Sequence, residues 1–441
     1  MSSISKTAKK TLMRAISETE KKKEQFIRRP GKDFTRKRKL PFSHMLLSTI
    51  GMAGESLTNE LMNFFHCSPD MATAAAFIQQ RGKIKSEAFA YLFRLFTDQI
   101  STKKLYRGYR LLAVDGSDLQ TQTDSNDLDA YYPGTNGQRP YNLHHLNAMY
   151  DLLARFYVDA AIQKSHCMNE CSALVKMVDR STIHKAIVTI DRNYECHNVM
   201  AHIQEKGWFY LIRVKDGATG LKSSLALPTT DEFDLFVDLQ LTRKQTNEAK
   251  ALLKLKNQYR FVPATSVFDF LPVKNRKKEP MLCYSLPFRI VRFQIPSGGY
   301  ETVVTNLPQN DFPPEELKKL YAMRWGIETS FRELKYTVGL LHFHAKKAEY
   351  IYQEIFASLI MYNFTELITS QVASHCKSRK YAYSANFSVA VHVCRQFLLG
   401  NVSPPSVLEV ISRNLSPVRP DRSSPRKMTQ RSPQSFLYRV A

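Results

Sequence analysis

One stretch of the chain carries a phenol, a guanidinium, a carboxylate and an ammonium at spacings that bring them together on a helix. The four residues are Tyr321, Arg324, Glu328 and Lys335. At about 100° per residue they fall within an arc of about 60°, whereas Glu333 falls on a different face. A carboxylate flanked by cations on one face is either an ordinary ion-pair stripe or part of a site for an anionic substrate.

The residues around this stretch predict the helix itself. Pro313 and Pro314 suit a first turn, because a proline there loses no useful N–H, and two glutamates follow where the helix dipole favours negative charge. Apolar residues then recur at three- and four-residue steps, the period of a helix with one buried face. They are Leu317, Leu320, Ile327, Phe331 and Leu334. We therefore expect one helix that continues through residue 335.

Two aspartates upstream each follow a short apolar run that predicts a strand. Residues 109–114 precede Asp115, which is followed by Gly116, and residues 186–190 precede Asp191. We expect each aspartate to end its strand at a turn, a position that can hold a metal ion. An Asp-Gly pair after a strand is also a common structural turn, and Asp118 is a local competitor for the role of Asp115.

The spacing of the four helix residues resembles the Y-R-E-K signature of the IS4-type (DDE) transposases. The segment Asp191-Arg192-Asn193-Tyr194 also resembles that family's second motif, which has Gly or Glu where this chain has Asn193. Asn tolerates left-handed backbone geometry better than other non-Gly residues, so the turn remains plausible.

This resemblance implies a role for each candidate site residue. Asp115, Asp191 and Glu328 would be the catalytic carboxylates and would bind two Mg²⁺ ions, for which Mn²⁺ can substitute. Tyr321, Arg324 and Lys335 would bind phosphates of the DNA backbone.

The implied activity is cut-and-paste DNA transposition. Such a protein binds terminal inverted repeats and target DNA, cleaves and transfers strands, and works as a homodimer in the synaptic complex. Two alternatives stay open from the sequence: a ribonuclease H-fold nuclease without strand transfer, and a non-catalytic, domesticated DNA-binding protein.

The order of predicted elements indicates a mixed α/β fold. A strand with Asp, a hairpin, a helix, a second strand with Asp, a helix and a strand follow one another, which is close to the ribonuclease H-like order. We expect that catalytic core to be interrupted by a β-rich insertion and preceded by a helical DNA-binding region. The expected regions are a basic arm and helical DNA-binding region at 1–100, the core at 101–215 and 312–375, the insertion at 216–311, and a basic, partly disordered C-terminal region at 376–441.

The first region contains two candidate DNA-binding features. Residues 1–44 are rich in Lys and Arg and predict a solvated arm that gains order on a phosphate backbone. Residues 71–99 predict two helices about a turn near Gly82, and exposed Gln79, Gln80 and Arg81 would suit a helix-turn-helix that contacts base edges. A helical hairpin without DNA contacts is the alternative.

Composition narrows the class of protein. The chain has 441 residues, 43% of them hydrophobic, and a formal net charge of +23, which favours a nucleic-acid partner over a generic basic protein. No signal peptide or membrane span is evident, so we expect a cytoplasmic, nucleoid-associated protein without a membrane partner. The seven cysteines are scattered, and the trio His166, Cys167 and Cys171 lacks the second ligand pair of a zinc site.

Overall fold

The structure is a computed structural model, and it describes residues 2–100, 102, 104–134, 137, 139–215, 220–273, 280–295, 298–372 and 383–417. The basic C-terminal tail expected around residues 419–431 lies outside the described residues. The helices are α1 Ser2–Lys21, α2 Lys23–Phe26, α3 Phe42–Gly51, α4 Leu57–Phe64, α5 Ala74–Arg81, α6 Glu87–Asp98, α7 Glu170–Arg180, α8 His197–Glu205, α9 Asn247–Leu252, α10 Pro314–Met323, α11 Trp325–Arg332, α12 Ala348–Val372, α13 Phe387–Leu399 and α14 Pro404–Arg413. The strands are β1 Arg110–Thr121, β2 Tyr131–Tyr132, β3 Tyr141–Asp151, β4 Phe156–Lys164, β5 Ala186–Ile190, β6 Phe209–Arg213, β7 Phe233–Thr242, β8 Tyr259–Phe261, β9 Cys283–Gln294, β10 Tyr300–Thr305, β11 Tyr383–Ala385 and β12 Leu415–Pro417.

The centre of the molecule is a mixed sheet with ribonuclease H-like strand order. Its core runs β4-β3-β1-β5-β6, with β3 antiparallel to both of its neighbours and β1, β5 and β6 mutually parallel. Helices cover both faces: α12 and the N-terminal helices share one apolar core with the sheet, and α7 and α8 share the other. The expected mixed α/β, ribonuclease H-like class is therefore confirmed.

The strands after residue 216 extend this same sheet. β10 pairs antiparallel with β6, β9 with β10, and β7 with β9. The β9–β10 hairpin was expected from its turn sequence, whereas β7 was not, because its polar, Lys-rich surroundings masked the alternation of buried Val237, Leu239 and Leu241. Residues 233–305 thus extend the sheet beyond β6 by hydrogen-bonded strands.

The N-terminal arm is a helix that packs into the core, so the expectation of a solvated arm is wrong for residues 2–21. Leu12, Ala15 and Ile16 on α1 are fully buried, in one cluster with α6, α12 and α14. These residues recur at three- and four-residue steps, which is a helical period that the high charge density obscured. Lys6, Lys10 and Arg14 lie on its exposed side, whereas Lys9 is half-buried and donates to the Phe397 carbonyl.

The expected base-reading residues of the helical hairpin are also buried, and this part of the helix-turn-helix prediction is wrong. Gln80 and Arg81 are 7% and 4% exposed. Arg81 Nη1 lies 2.6 Å from Glu354 Oε1 on α12, its Nε donates to Gln353, and its Nη2 donates to a backbone carbonyl. Three partners for one guanidinium fix α5 against α12, and Arg81 is not free to reach a DNA base.

No helix among the described residues is long and apolar enough to cross a membrane.

Replacing Arg81 should therefore destabilise the fold. Arg81→Met leaves the buried Glu354 with His344 but without its guanidinium partner, and breaking a buried ion pair in this way costs about 3–5 kcal/mol of unfolding free energy. Thermal denaturation should show a clearly lower midpoint, while Gln79→Met, at the exposed neighbouring position, should change it little. Equal midpoints for both variants would show that Arg81 does not anchor α5.

Candidate active site

The parallel pairing of β1 with β5 places the two predicted aspartates side by side. Val114 pairs with Ile190, the last residue of β5. The next residues are Asp115 and Asp191, on strands that lie about 4.8 Å apart. Asp191 follows its strand as expected and begins a short 3₁₀ turn.

Asp115 does not end its strand, and that expectation is wrong. β1 continues through Asp115 to Thr121, paired with β3 over its whole second half. Gly116 is therefore a strand residue, not a turn residue. A Cβ at Gly116 would lie 2.2 Å from His145 Nε2 and 2.5 Å from Glu170 Oε1, so glycine is needed to admit those side chains.

The alternation of β1 aims Asp115 at the helix that carries Glu328. Leu111 packs on Leu317 of α10, and Ala113 lies in the cluster that contains Ile327 of α11. Successive strand residues alternate between faces, so Asp115 shares the face of residues 111 and 113. The strand thus presents its carboxylate to α10 and α11.

The expected single helix is two helices that meet at Arg324. α10 ends at Met323 and α11 begins at Trp325, with Arg324 between them at φ −50° and ψ −32°. A π-helical turn, Glu333–Thr337, follows α11 and contains Lys335. The backbone stays helical through the joint, so the predicted face is preserved.

Arg324 joins the two carboxylates on this face. Its Nη2 lies 2.8 Å from Glu328 Oε1, and its Nη1 lies 3.5 Å from Asp115 Oδ2. The guanidinium also lies 5.7 Å from the centre of the Tyr321 ring. One arginine therefore bridges a strand carboxylate and a helix carboxylate that are more than 200 positions apart in sequence.

Two buried donors on the same face have no partner in the described part of the chain. The Tyr321 hydroxyl and Arg324 Nε make no hydrogen bond, although the atoms are buried. Burial raises the pKa of Tyr321 to about 12, which keeps the phenol protonated as a donor. Unsatisfied buried donors are rare in proteins and are typical of sites that bind an acceptor.

Electrostatic strain concentrates on Asp115. Burial is the main cause that raises its pKa to about 6; the Glu328 and Asp191 carboxylates add smaller contributions, and the Gly116 N–H and Arg324 oppose the shift. Like charges in a partly desolvated site oppose ionisation of one another. Added positive charge would relieve this repulsion.

Lys335 reaches the site from the π-helical turn. Its Nζ donates to the backbone carbonyl of Asp118 at 2.8 Å. Burial lowers the pKa of this lysine, while the Asp118 carboxylate opposes the shift. The structure thus brings all six predicted side chains to one edge of the sheet, with Lys335 at its margin.

Sequence reasoning missed a second cluster beside Asp115. His145 Nδ1 lies 2.6 Å from Asp118 Oδ1, and its Nε2 lies 3.0 Å from Glu170 Oε1. Burial opposes a charge on this imidazole, but the two carboxylates outweigh burial and raise the pKa of His145 to about 9. The only sequence signal was a histidine within a predicted strand, because its partners are 27 and 25 residues away.

The donor set of the site suits a hard divalent cation. Three carboxylates supply the oxygen ligands that Mg²⁺ prefers, and burial raises the pKa of one of them, Asp115. In the conformation described, no group of three or more His, Cys, Asp or Glu side chains is close enough to hold a metal, over the residues that the structure covers. Arg324 supplies the positive charge between Asp115 and Glu328.

A ribonuclease H-like sheet that presents carboxylates at one edge defines the class of polynucleotidyl-transfer enzymes, and the comparisons with known proteins identify the family. The model of the transposase DDE domain matches residues 106–364. The chain belongs to this family and is a DDE transposase.

Relatives of the chain are insertion-sequence transposases. The chain is 23% identical to the transposase InsG for insertion sequence element IS4 of Escherichia coli strain K12, over 90% of this chain and 87% of that protein. It is 32% identical over 73 residues to the transposase for insertion sequence element IS421 of Escherichia coli, which covers 16% of this chain and 20% of that protein. It is also similar to a chain of the piggyBac transposase synaptic complex with hairpin DNA, at 10% identity and a TM-score of 0.44, over 92% of this chain and 81% of that one.

The raised pKa of Asp115, which burial causes for the most part, predicts a pH-dependent stability difference. The folded-state pKa of about 6 lies above the ordinary value of 3.8. Ionisation of Asp115 therefore destabilises the folded state. This destabilisation is absent below pH 3.8, grows as the pH rises toward 6, and is complete above pH 6. With EDTA present, Asp115→Asn should melt higher than wild type at pH 8, by about 3 °C or more, and this gain should shrink toward pH 4. Asp311→Asn, at an exposed position, should show no such trend. A gain that is the same at every pH would contradict the account.

Proposed function

We propose that this transposase binds the terminal inverted repeats of its insertion sequence and catalyses cleavage and transfer of DNA strands with Asp115, Asp191 and Glu328. The observation that carries the proposal is the ion-paired edge of the sheet. There Arg324 contacts carboxylates from β1 and α11, and Asp191 lies in register beside Asp115. These polar side chains come from three separate parts of the chain, and they do not contribute to the packing of the hydrophobic core.

The three carboxylates would hold two Mg²⁺ ions, or Mn²⁺ in their place. When bound, the ions supply the positive charge that activates a water or a 3′-hydroxyl and stabilises the leaving oxygen of the phosphodiester. Asp115, Asp191 and Glu328 would fix the position of that charge, since they are mounted on a strand, a strand end and a helix. No Ser or Cys nucleophile is needed.

Tyr321, Arg324 and Lys335 would bind the DNA backbone beside the carboxylates. The Tyr321 hydroxyl and Arg324 Nε are buried donors without a partner in the described structure, and a phosphate oxygen would satisfy both. Lys335 is held at the margin by a single contact to the Asp118 carbonyl, which leaves further donor positions on its ammonium. These groups would align the scissile strand with the catalytic edge.

The net charge of the chain and its membership of the transposase DDE family support DNA as the substrate. The net charge of +23 supplies long-range attraction to terminal repeats and to target DNA. We infer that two copies join two ends in a homodimeric synapse, and that the protein acts on the nucleoid in the cytoplasm. The exposed basic residues of the helical N-terminal region, such as Arg14, would contact DNA phosphates in this scheme.

Glu328→Gln should separate chemistry from binding. The amide keeps a hydrogen-bond acceptor for Arg324 but removes a charged oxygen ligand, so cleavage of end DNA should fall about a hundredfold or more. Binding of the same DNA at the same salt should be nearly unchanged. Glu315→Gln, at an exposed position of α10, is the matched control and should leave both activities intact.

The outcomes distinguish the proposal from its rivals. Loss of binding as large as the loss of cleavage would remove Glu328 from the catalytic set. Undiminished cleavage in Glu328→Gln would refute the triad. Cleavage without joining of strands, by the wild-type protein, would favour a nuclease without strand transfer.

A further inference from the structure

A second site lies at the other end of the strands that carry the catalytic aspartates. An open cavity of about 430 Å³ is lined by α6, the start of β1, β4 and the segment before β5. Arg110 lines it, and Arg110 precedes Asp115 by five strand residues, or about 17 Å. The cavity is therefore separate from the candidate active site.

Its wall is rich in cations. The charged residues that line it are Arg94, Arg110, Arg180, Lys185, Asp98 and Asp159. Arg180 is committed to Asp159, with Nε–Oδ2 at 2.6 Å and Nη2–Oδ1 at 2.8 Å. Arg110 is likewise ion-paired with Asp151, so Arg94 and Lys185 against Asp98 leave a small excess of positive charge on the remaining wall.

Two guanidinium groups of this wall have unused donors. Among the described residues, Arg94 makes no hydrogen bond or close ion pair. Burial and then nearby Arg180 lower its pKa, and the Asp159 and Asp98 carboxylates oppose that shift. Arg110 donates through Nε to Asp151, but its Nη2 is buried and has no hydrogen-bond partner in the described structure. A desolvated guanidinium without an acceptor is costly, and an anion in the cavity would offset that cost.

The uncharged lining mixes apolar side chains, among them Phe156 and Leu105, with polar ones such as Thr97 and Thr182. The Phe156 ring lies 5.3 Å from the Arg110 guanidinium carbon, and Leu105 stands at the cavity with 46% of its surface exposed. A volume of about 400 Å³ with apolar walls and a few convergent polar groups is typical of a small-molecule site, and it exceeds what a bare inorganic phosphate needs.

We propose that this cavity binds a nucleotide phosphate, with Arg94 and Arg110 on the phosphate and the nucleoside against Phe156 and Leu105. The forked guanidinium geometry matches phosphate oxygens, and an aromatic face suits a base or sugar. The phosphate comes either from a free nucleotide or from a strand of bound DNA. The site does not depend on the catalytic chemistry proposed for Asp115, Asp191 and Glu328.

The test measures binding of deoxyadenosine monophosphate, inorganic phosphate and a 20-base-pair duplex by calorimetry at constant ionic strength. Arg94→Gln removes a cation from the cavity, and Arg14→Gln removes one from an exposed position of α1. Leu105→Glu places an anion at the cavity, and Leu128→Glu places one at a site that is 75% exposed. The melting temperature of each variant without ligand shows whether it folds. If Arg94→Gln does not fold, Leu105→Glu still tests the cavity.

For a free nucleotide, both cavity variants should lose about tenfold or more in affinity for deoxyadenosine monophosphate, while both control variants keep it. For a DNA phosphate, the mononucleotide should not bind, and the cavity variants should weaken duplex binding more than their controls do. Cavity variants that match their controls with every probe would overturn the proposal.

Discussion

Repulsion among three carboxylates is the constraint on which the candidate active site depends. Asp115, Asp191 and Glu328 would drift apart in a flexible chain, because like charges in a partly desolvated site are weakly screened. Two features of the fold keep the carboxylates close together. Hydrogen bonds between β1 and β5 place Asp115 beside Asp191, and the Arg324 guanidinium bridges Asp115 and Glu328. Burial of Asp115, with a smaller contribution from this repulsion, raises the pKa of that carboxyl to about 6.

Packing around α11 holds the Glu328 carboxylate in position. The helix that carries Glu328 buries Ile327 and Phe331 in the core shared with α12, and Ser330 hydrogen-bonds the hydroxyl of Tyr157 on β4 at 2.9 Å. Gly326 allows a close approach, since a Cβ there would lie 2.8 Å from a Leu152 methyl. Packing on one face of α11 thus fixes the position of the carboxylate on the other.

Local periodicity made much of this site predictable. The face shared by Arg324 and Glu328, the helix start at the paired prolines and the strand before Asp191 follow from neighbouring residues, and the structure has all three. Glu333 was placed on another face, and it accepts a hydrogen bond from Tyr362 away from the site.

The features that were not predicted depend on contacts with residues far away in the sequence. The strand continues past Asp115 because Gly116 makes room for His145, and the carboxylates that hold this imidazole come from other elements. Arg81 looked like an exposed hairpin residue until Glu354, 273 positions later, gave it a buried partner. The apolar face of α1 was also missed, because the segment is rich in charged residues and because this face packs on helices that are far away in the sequence.

The most direct test of the central claim is cleavage of the DNA that flanks the gene. Purified protein would be incubated with that DNA, with and without Mg²⁺, beside the Asp115→Asn variant. The account predicts cuts at an inverted-repeat boundary that require Mg²⁺ and are absent with the variant. Cuts that persist in Asp115→Asn, or that form equally well without a divalent cation, would contradict it.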